Sequence, residues 1–229
     1  MNKIVTREEW TEARKKLLEE EKAFTMQRDK LSIKRRSLPW VNVDKEYHFH
    51  SEKGIKSFSD LFEGKSQLII YHFMYGPDWG NEGCKSCSFW ADNFNNIILH
   101  IRQRDVNMLC VSSAPLSKFL PFKKKMGWVF EWVSSQDTTF NKDFQVTTFP
   151  DFGSEYNYEP RMTNNNQEWP GISVFYKDDE GNIYHTYSTY ARGLEDLNLV
   201  YRFLDIVPRG RDEDDLAYGM EWVKHHYKY

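Results

Sequence analysis

The chain has 229 residues, 31 Lys and Arg against 34 Asp and Glu for a formal net charge of −3, and is 40% apolar with 16 Phe, 13 Tyr and 8 Trp. That much apolar side chain builds a real core and excludes wholesale disorder, and the charge balance gives no reason to expect nucleic acid as a partner. No window is apolar over the length that a bilayer span needs, and three cysteines are too few for a disulfide scaffold.

The opening MNKIVTREEW lacks the apolar stretch and cleavage site of a secretory signal, so a cytoplasmic setting is expected. Residues 6 to 37 read as one long helix. Thr6 followed by Glu9 fits a capping box, and Trp10, Leu17, Phe24, Leu31 and Leu38 recur every seven residues on a charged background. Pro39 ends the helix. The seam is narrow, because Glu20, Gln27 and Lys34 stand where a coiled coil would place its second apolar set. It packs either on the body of the same chain or on a second copy, which would make a homodimer. The cluster Arg28, Lys30, Lys34, Arg35 and Arg36 is charge complementing the carbonyl-rich helix end, or an anion site.

Beyond residue 41 the pattern changes. Glu46 to His50 reads as an edge strand and Ser59 to Phe62 as one helical turn. QLIIYHFM (67–74) is a continuous apolar run of strand length and reads as a buried central strand. In SFWADNFNNIILHI (88–101), Trp90, Phe94, Ile97, Ile98 and Ile101 repeat at helical spacing. VNMLCVS (106–112) is a second buried strand. Residues 117 to 126 read as a helix with Gly127 as its C-cap, and 132 to 134 as a short strand. Residues 151 to 169 read as a long surface loop. Ile172 to Tyr176 and Asn182 to Ser188, joined by KDDEG, form a hairpin. A helix over 194–204 follows, and then a tail from Pro208. The sum is an α/β layer structure, parallel in its first half and antiparallel at its end.

Cys84 and Cys87 stand between the first buried strand and the helix after it. Sites form at the C-terminal ends of strands in open α/β sheets. A thiol in the first turn of a helix meets free N–H groups that stabilise its thiolate, the nucleophilic form. Two cysteines three positions apart can close into a disulfide and reopen by exchange. Lys85 between them adds positive charge. Structural zinc wants four ligands. Only Cys110 remains, inside an apolar strand, and the histidines show no ligand spacing, so redox chemistry is favoured over a metal. Trp79 in the preceding loop is a candidate for touching substrate. Asp78 and Glu82 stand where either could take a proton from the second thiol, though loop carboxylates are commonly just solvated.

In order of elements, with CxxC after the first buried strand, the chain resembles the thioredoxin fold. Across REEWTEARKKLLEEEKAFTMQRDKL, RRSLPW, SQLIIYHFMYGPDW, GCKSCSFWADNF, KKKMGW, HTYSTYARG and GRDED it is similar to one bacterial thioredoxin-like family, called domain of unknown function 899 and regarded as dithiol–disulfide oxidoreductases. That resemblance implies an arm (1–40), a thioredoxin-like domain with a mixed central sheet flanked by helices (41–207) and a C-terminal tail (208–229). It implies Cys84 as the attacking thiol and Cys87 as the resolving one. It implies no cofactor or metal, a disulfide-bearing protein or small molecule as substrate, and a thiol as reductant. Pro170, in EWPGISVF, stands where thioredoxins carry a cis-proline facing the cysteines, or is an ordinary loop proline. GCKSC departs from the usual WCGPC. FNKDFQV and the closing hairpin resemble peroxiredoxins, whose PxxxTxxC laid on this loop puts the peroxidatic cysteine at Cys87. Cys84 then replaces the threonine, and Gly80 the proline. Arg192, in STYARG, is a candidate for lowering a thiol pKa, or an ordinary surface arginine. The alternatives to a disulfide oxidoreductase are a thiol peroxidase and a non-catalytic binding or assembly module.

Overall fold

In the computed structural model, which describes residues 2–150 and 153–229, the apolar run before the cysteines forms a strand buried on both faces. Its side chains alternate with the period of two that a pleated strand imposes. Leu68 and Ile70 enter one core with Leu109, Val111 and Phe175, while Tyr71, Phe73 and Tyr75 enter the other with Cys87, Cys110 and Trp132.

The strands run β1 (Val41–Asn42), β2 (His48–Ser51), β3 (Gly54–Ser57), β4 (Gln67–His72), β5 (Val106–Ser112), β6 (Trp132–Ser134), β7 (Thr147–Thr148), β8 (Glu155–Tyr156), β9 (Glu159–Pro160), β10 (Gln167–Glu168), β11 (Gly171–Lys177) and β12 (Ile183–Tyr190). The helices are α1 (Arg7–Arg36), α2 (Lys85–Ala91), α3 (Phe94–Ile101), α4 (Leu116–Lys125), α5 (Phe140–Asp143) and α6 (Leu199–Leu204). Eight strands make one mixed sheet in the order β1-β12-β11-β4-β5-β6-β2-β3. β4 pairs parallel with β5 and β5 with β6, whereas β11 pairs antiparallel with both β4 and β12. A parallel β-α-β unit joined to an antiparallel hairpin, with central order β12-β11-β4-β5 and helices on both faces, is the thioredoxin-like fold. The hairpin turns at Gly181, whose φ of +90° suits a residue without Cβ.

The chain divides into two compact units, residues 1–39 and 40–229. In the first, the expected capping box is present: the Glu9 N–H donates to Thr6 Oγ1 at 3.2 Å and the Thr6 N–H to Glu9 Oε2 at 2.9 Å. No residue of α1 is buried, and Trp10, Leu17 and Phe24 are 50%, 50% and 64% exposed.

Four local expectations change. The strand expected as an edge at Glu46 to His50 is β2, which lies between β6 and β3, because the following Gly54–Ser57 folds back on it as the edge strand. The helix expected over 88–101 starts earlier, at Lys85, and breaks at Asp92–Asn93, where the Asn93 side-chain amide donates to the Phe89 and Trp90 carbonyls, which the next helical N–H groups would otherwise take. The helix expected over 194–204 is a 3-10 turn (Ala191–Leu197) followed by α6, because Asn198 Oδ1 accepts from the N–H groups of Val200 and Tyr201 and so caps a new start. The region read as a loop over 151–169, of which 151 and 152 lie outside the described residues, contains the β8–β9 hairpin and β10, which pairs with β7 and buries Glu168.

Candidate active site

The loop after β4 leaves at Tyr75 and returns to the strand end that it left. The Cys84 N–H donates to the Met74 carbonyl at 3.2 Å, and the Met74 N–H points at Cys87 Sγ at 3.4 Å. Gly83 makes this return possible: a Cβ there would lie 2.7 Å from a Phe73 ring carbon and 3.1 Å from rings of Phe122 and Tyr75. Tyr75 donates its hydroxyl to the Gly80 carbonyl at 2.7 Å, and Lys118 Nζ donates to the Trp79 carbonyl at 2.7 Å, which pins the loop from both sides.

Cys84 is the N-cap of α2, with φ −56° and ψ 127°, and its sulfur accepts from the Cys87 N–H at 3.4 Å. Its carbonyl accepts from both the N–H and the hydroxyl of Ser88. Cys84 is partly exposed, Cys87 is 1% exposed, and both thiols are free. Their acidities diverge. The Cys87 thiol, and then the N–H groups of Cys87 and Ser86, bring the Cys84 thiol down to about 7 from an ordinary 9.0, against the opposing effect of burial. Burial first, then the neighbouring Cys84, push Cys87 well up. Cys110 is buried and pushed up by burial, as an inert core thiol would be. Among the described residues no group of three or more His, Cys, Asp or Glu is placed to hold a metal.

A sequence profile of the family described as "Bacterial protein of unknown function (DUF899)" matches residues 1–229. The chain belongs to that family. No protein with a curated description matches it. Among solved structures, the peroxidoxin BcpB from Mycobacterium tuberculosis is 10% identical, with 72% of this chain and 96% of that chain covered at a TM-score of 0.47. Peroxiredoxin Q from Xylella fastidiosa, in a mutant form, is 17% identical, with 69% and 89% covered at a TM-score of 0.44.

The other candidate residues scatter around the pair. Lys85 does not face the thiols: its Nζ donates to the Glu221 carbonyl at 2.8 Å and lies over the Tyr218 ring. Arg192 is a surface arginine with an 89% exposed side chain, bound to Glu195 at 3.0 Å, because it follows the last residue of β12 on an exposed turn. Pro170 precedes β11 with a trans peptide bond, the ordinary state of an X–Pro bond, which corrects the cis alternative. The Pro170 carbonyl accepts from the Tyr156 hydroxyl at 3.0 Å. Trp79 lines a surface cavity of about 500 Å³ with Gly76, Pro77, Asp78 and Glu168, and neither cysteine lines it. Glu82 is tied by Lys228, Tyr227 and Lys125, which hold its carboxyl down to about 2, so it is not poised to take a thiol proton near neutrality.

The tail supplies contacts that sequence reasoning passed over. Val223 is 1% exposed in the core that holds Cys87. His225 Nε2 lies 3.0 Å from the Gly83 carbonyl, and the Trp222 ring meets Phe89 edge-on at 5.4 Å. The alternation of aromatics with charges in EWVKHHYKY was the one available signal, and it carries no long-range address.

Proposed function

We propose that the protein is a dithiol–disulfide oxidoreductase in which Cys84 attacks a substrate disulfide and Cys87 resolves the mixed disulfide. The observation that supports this reading most is the asymmetry of the pair. The partly exposed thiol has the lowered pKa, near neutrality, and the buried thiol keeps its proton. An attacking thiol is most effective with a pKa near ambient pH, and a resolving thiol needs only to reach its neighbour. The substrate is a disulfide-bearing protein or small molecule, and a thiol restores the dithiol. The same asymmetry weighs against a peroxidase that uses Cys87, since peroxide would have to reach a buried sulfur that holds its proton.

The test combines equilibration in thiol–disulfide buffers with reduction of a disulfide-linked peptide. The wild type should form a reversible Cys84–Cys87 disulfide and reduce the peptide, Cys84→Ala should do neither, and Cys87→Ala should trap a mixed disulfide on Cys84. A wild-type chain that forms no internal disulfide at any poise sinks the reading. Consumption of peroxide without peptide reduction would replace it with the peroxidase.

A further inference from the structure

Tyr71 lies on the face of β4 that carries the resolving cysteine. Its ring is fully buried and meets Phe94 edge-on at 5.1 Å and Phe73 at 6.2 Å. Its hydroxyl is buried too, and it has no hydrogen-bond partner. Buried polar groups are nearly always paired, and one left unpaired is destabilising. A phenylalanine would fill the same space without that penalty, so packing does not account for the hydroxyl. Cys87 belongs to the same core cluster, and its backbone neighbour across the loop, Met74, is three residues beyond Tyr71. The hydroxyl and the Cys87 sulfur influence each other's proton affinity in the directions expected of a donor beside a nascent thiolate: the phenol is raised, by burial first and then by Cys87, and the phenol in turn opposes the rise of Cys87.

We propose that Tyr71 is the hydrogen-bond donor to Cys87 Sγ whenever that sulfur carries negative charge. The inference rests on the oxidoreductase reading and deepens it. In the forward reaction the Cys84 thiolate attacks R–S–S–R′, the Cys84–S–R bond forms, and R′S⁻ leaves. Cys87 then gives its proton to solvent or to the departed thiolate. The Cys87 anion accepts from the Tyr71 O–H and attacks the Cys84 sulfur. The internal disulfide forms, the bond to R breaks, and RS⁻ leaves and takes up a proton. The substrate disulfide gains two electrons and the pair loses two. In the return step an external thiolate attacks Cys84, and Cys87 departs as the anion that the same hydroxyl stabilises. Tyr71 keeps its own proton throughout, so it acts as a donor and not as a base.

The experiment is a single-turnover reaction with an aromatic disulfide that releases one coloured thiolate on attack and a second on resolution. Tyr71→Phe should leave the first burst at the wild-type rate and slow the second by roughly tenfold to a hundredfold, the range for losing a hydrogen bond to a charged group. It should also melt no lower than wild type. Cys87→Ser loses the second burst, and adding Tyr71→Phe to it should leave the first burst unchanged. An unchanged second burst, equal slowing of both bursts, or a lower melting point overturns the proposal while the oxidoreductase reading survives. Absence of the first burst in the wild type overturns both.

Discussion

The acidity of Cys84 is the property on which the proposed chemistry turns, and one substitution isolates its largest cause. The drop from 9.0 to about 7 comes first from the Cys87 thiol and next from the N–H groups of Cys87 and Ser86. Cys87→Ala removes the thiol and leaves the N–H groups in place. The Cys84 pKa should therefore climb part of the way back, by about one unit, which is about 1.4 kcal/mol of lost stabilisation of the thiolate. At pH 7 the thiolate fraction would fall from about one half to about one tenth, but the more basic thiolate is a better nucleophile by about threefold per unit, so the rate at that pH should drop only about twofold. The pH profile is accordingly the sharper readout. Alkylation rate is measured from pH 5 to 10 with the modified peptide identified by mass, a clean assay because Cys110 is fully buried. Cys87→Ser supplies a hydroxyl donor and should keep the midpoint near that of wild type. A Cys87→Ala midpoint equal to wild type would show that the thiol is not the donor, and a wild-type midpoint near 9 would refute the electrostatic argument for Cys84 altogether.

Lys85→Ala should leave that midpoint within about 0.3 unit, because the ammonium serves the Glu221 carbonyl and not the sulfur; the same titration checks it. Gly83→Ala should destabilise the chain by about 1–3 kcal/mol in urea melts, since the new methyl enters ring carbons of Phe73, Phe122 and Tyr75. Glu82 holds the tail with a carboxyl lowered from 4.5 to about 2. A depressed carboxyl contributes its stabilisation above the unfolded pKa and loses it as pH falls through the folded one, so proteolysis of the tail should quicken between pH 4.5 and about 2, and Glu82→Gln should flatten that dependence, leaving the part carried by Glu195 and Asp205 on Arg211. The seam of α1 should pair with a second copy antiparallel, because a register with Phe24 on Phe24 at the axis sets Leu17 of one helix against Leu31 of the other and Trp10 against Leu38. Phe24→Glu should then halve the mass in sedimentation at micromolar concentration, and a wild type that sediments as a monomer refutes the pairing.

What the sequence disclosed and what it hid follow from the range of the forces involved. The run QLIIYHFM announces a strand buried on both faces because two-faced burial leaves no polar alternation, and the aromatic rows at Tyr71, Phe73 and Tyr75 confirm it. The Thr6–Glu9 box is equally local, two side chains answering two open N–H groups within one turn. The position of the cysteines after that strand carries the fold and the candidate chemistry together. The helix break at Asn93 escaped because helical spacing of the apolar residues persists across it, while the break is made by one side-chain amide competing for two carbonyls. The tail escaped because its partners are far away along the chain: His225 answers Gly83 and Lys228 answers Glu82. Tyr71 escaped for a subtler reason. As an aromatic in a core strand it satisfies every packing expectation, and only its unpaired hydroxyl sets it apart.

The two cysteines are the same residue three positions apart, yet their surroundings push their acidities in opposite directions. The cause is geometric. The N-cap position leaves Cys84 outside the first turn with backbone N–H groups converging on it, while Cys87, one turn in, is carried under the sheet among Tyr71, Phe73 and Trp90. Of the two residues only Cys84 is partly exposed, and only its thiol is brought down toward neutrality. In the proposed chemistry attack therefore begins at Cys84, and the charge that later develops on Cys87 is met from inside the protein, since Cys87 is 1% exposed. The Met74 N–H is one such donor, already aimed at the sulfur at 3.4 Å. A single backbone N–H at that length is a weak welcome for a thiolate in an apolar core. That leaves a gap in the machinery on the buried side of the pair, and the orphaned hydroxyl of Tyr71 is the group placed to fill it.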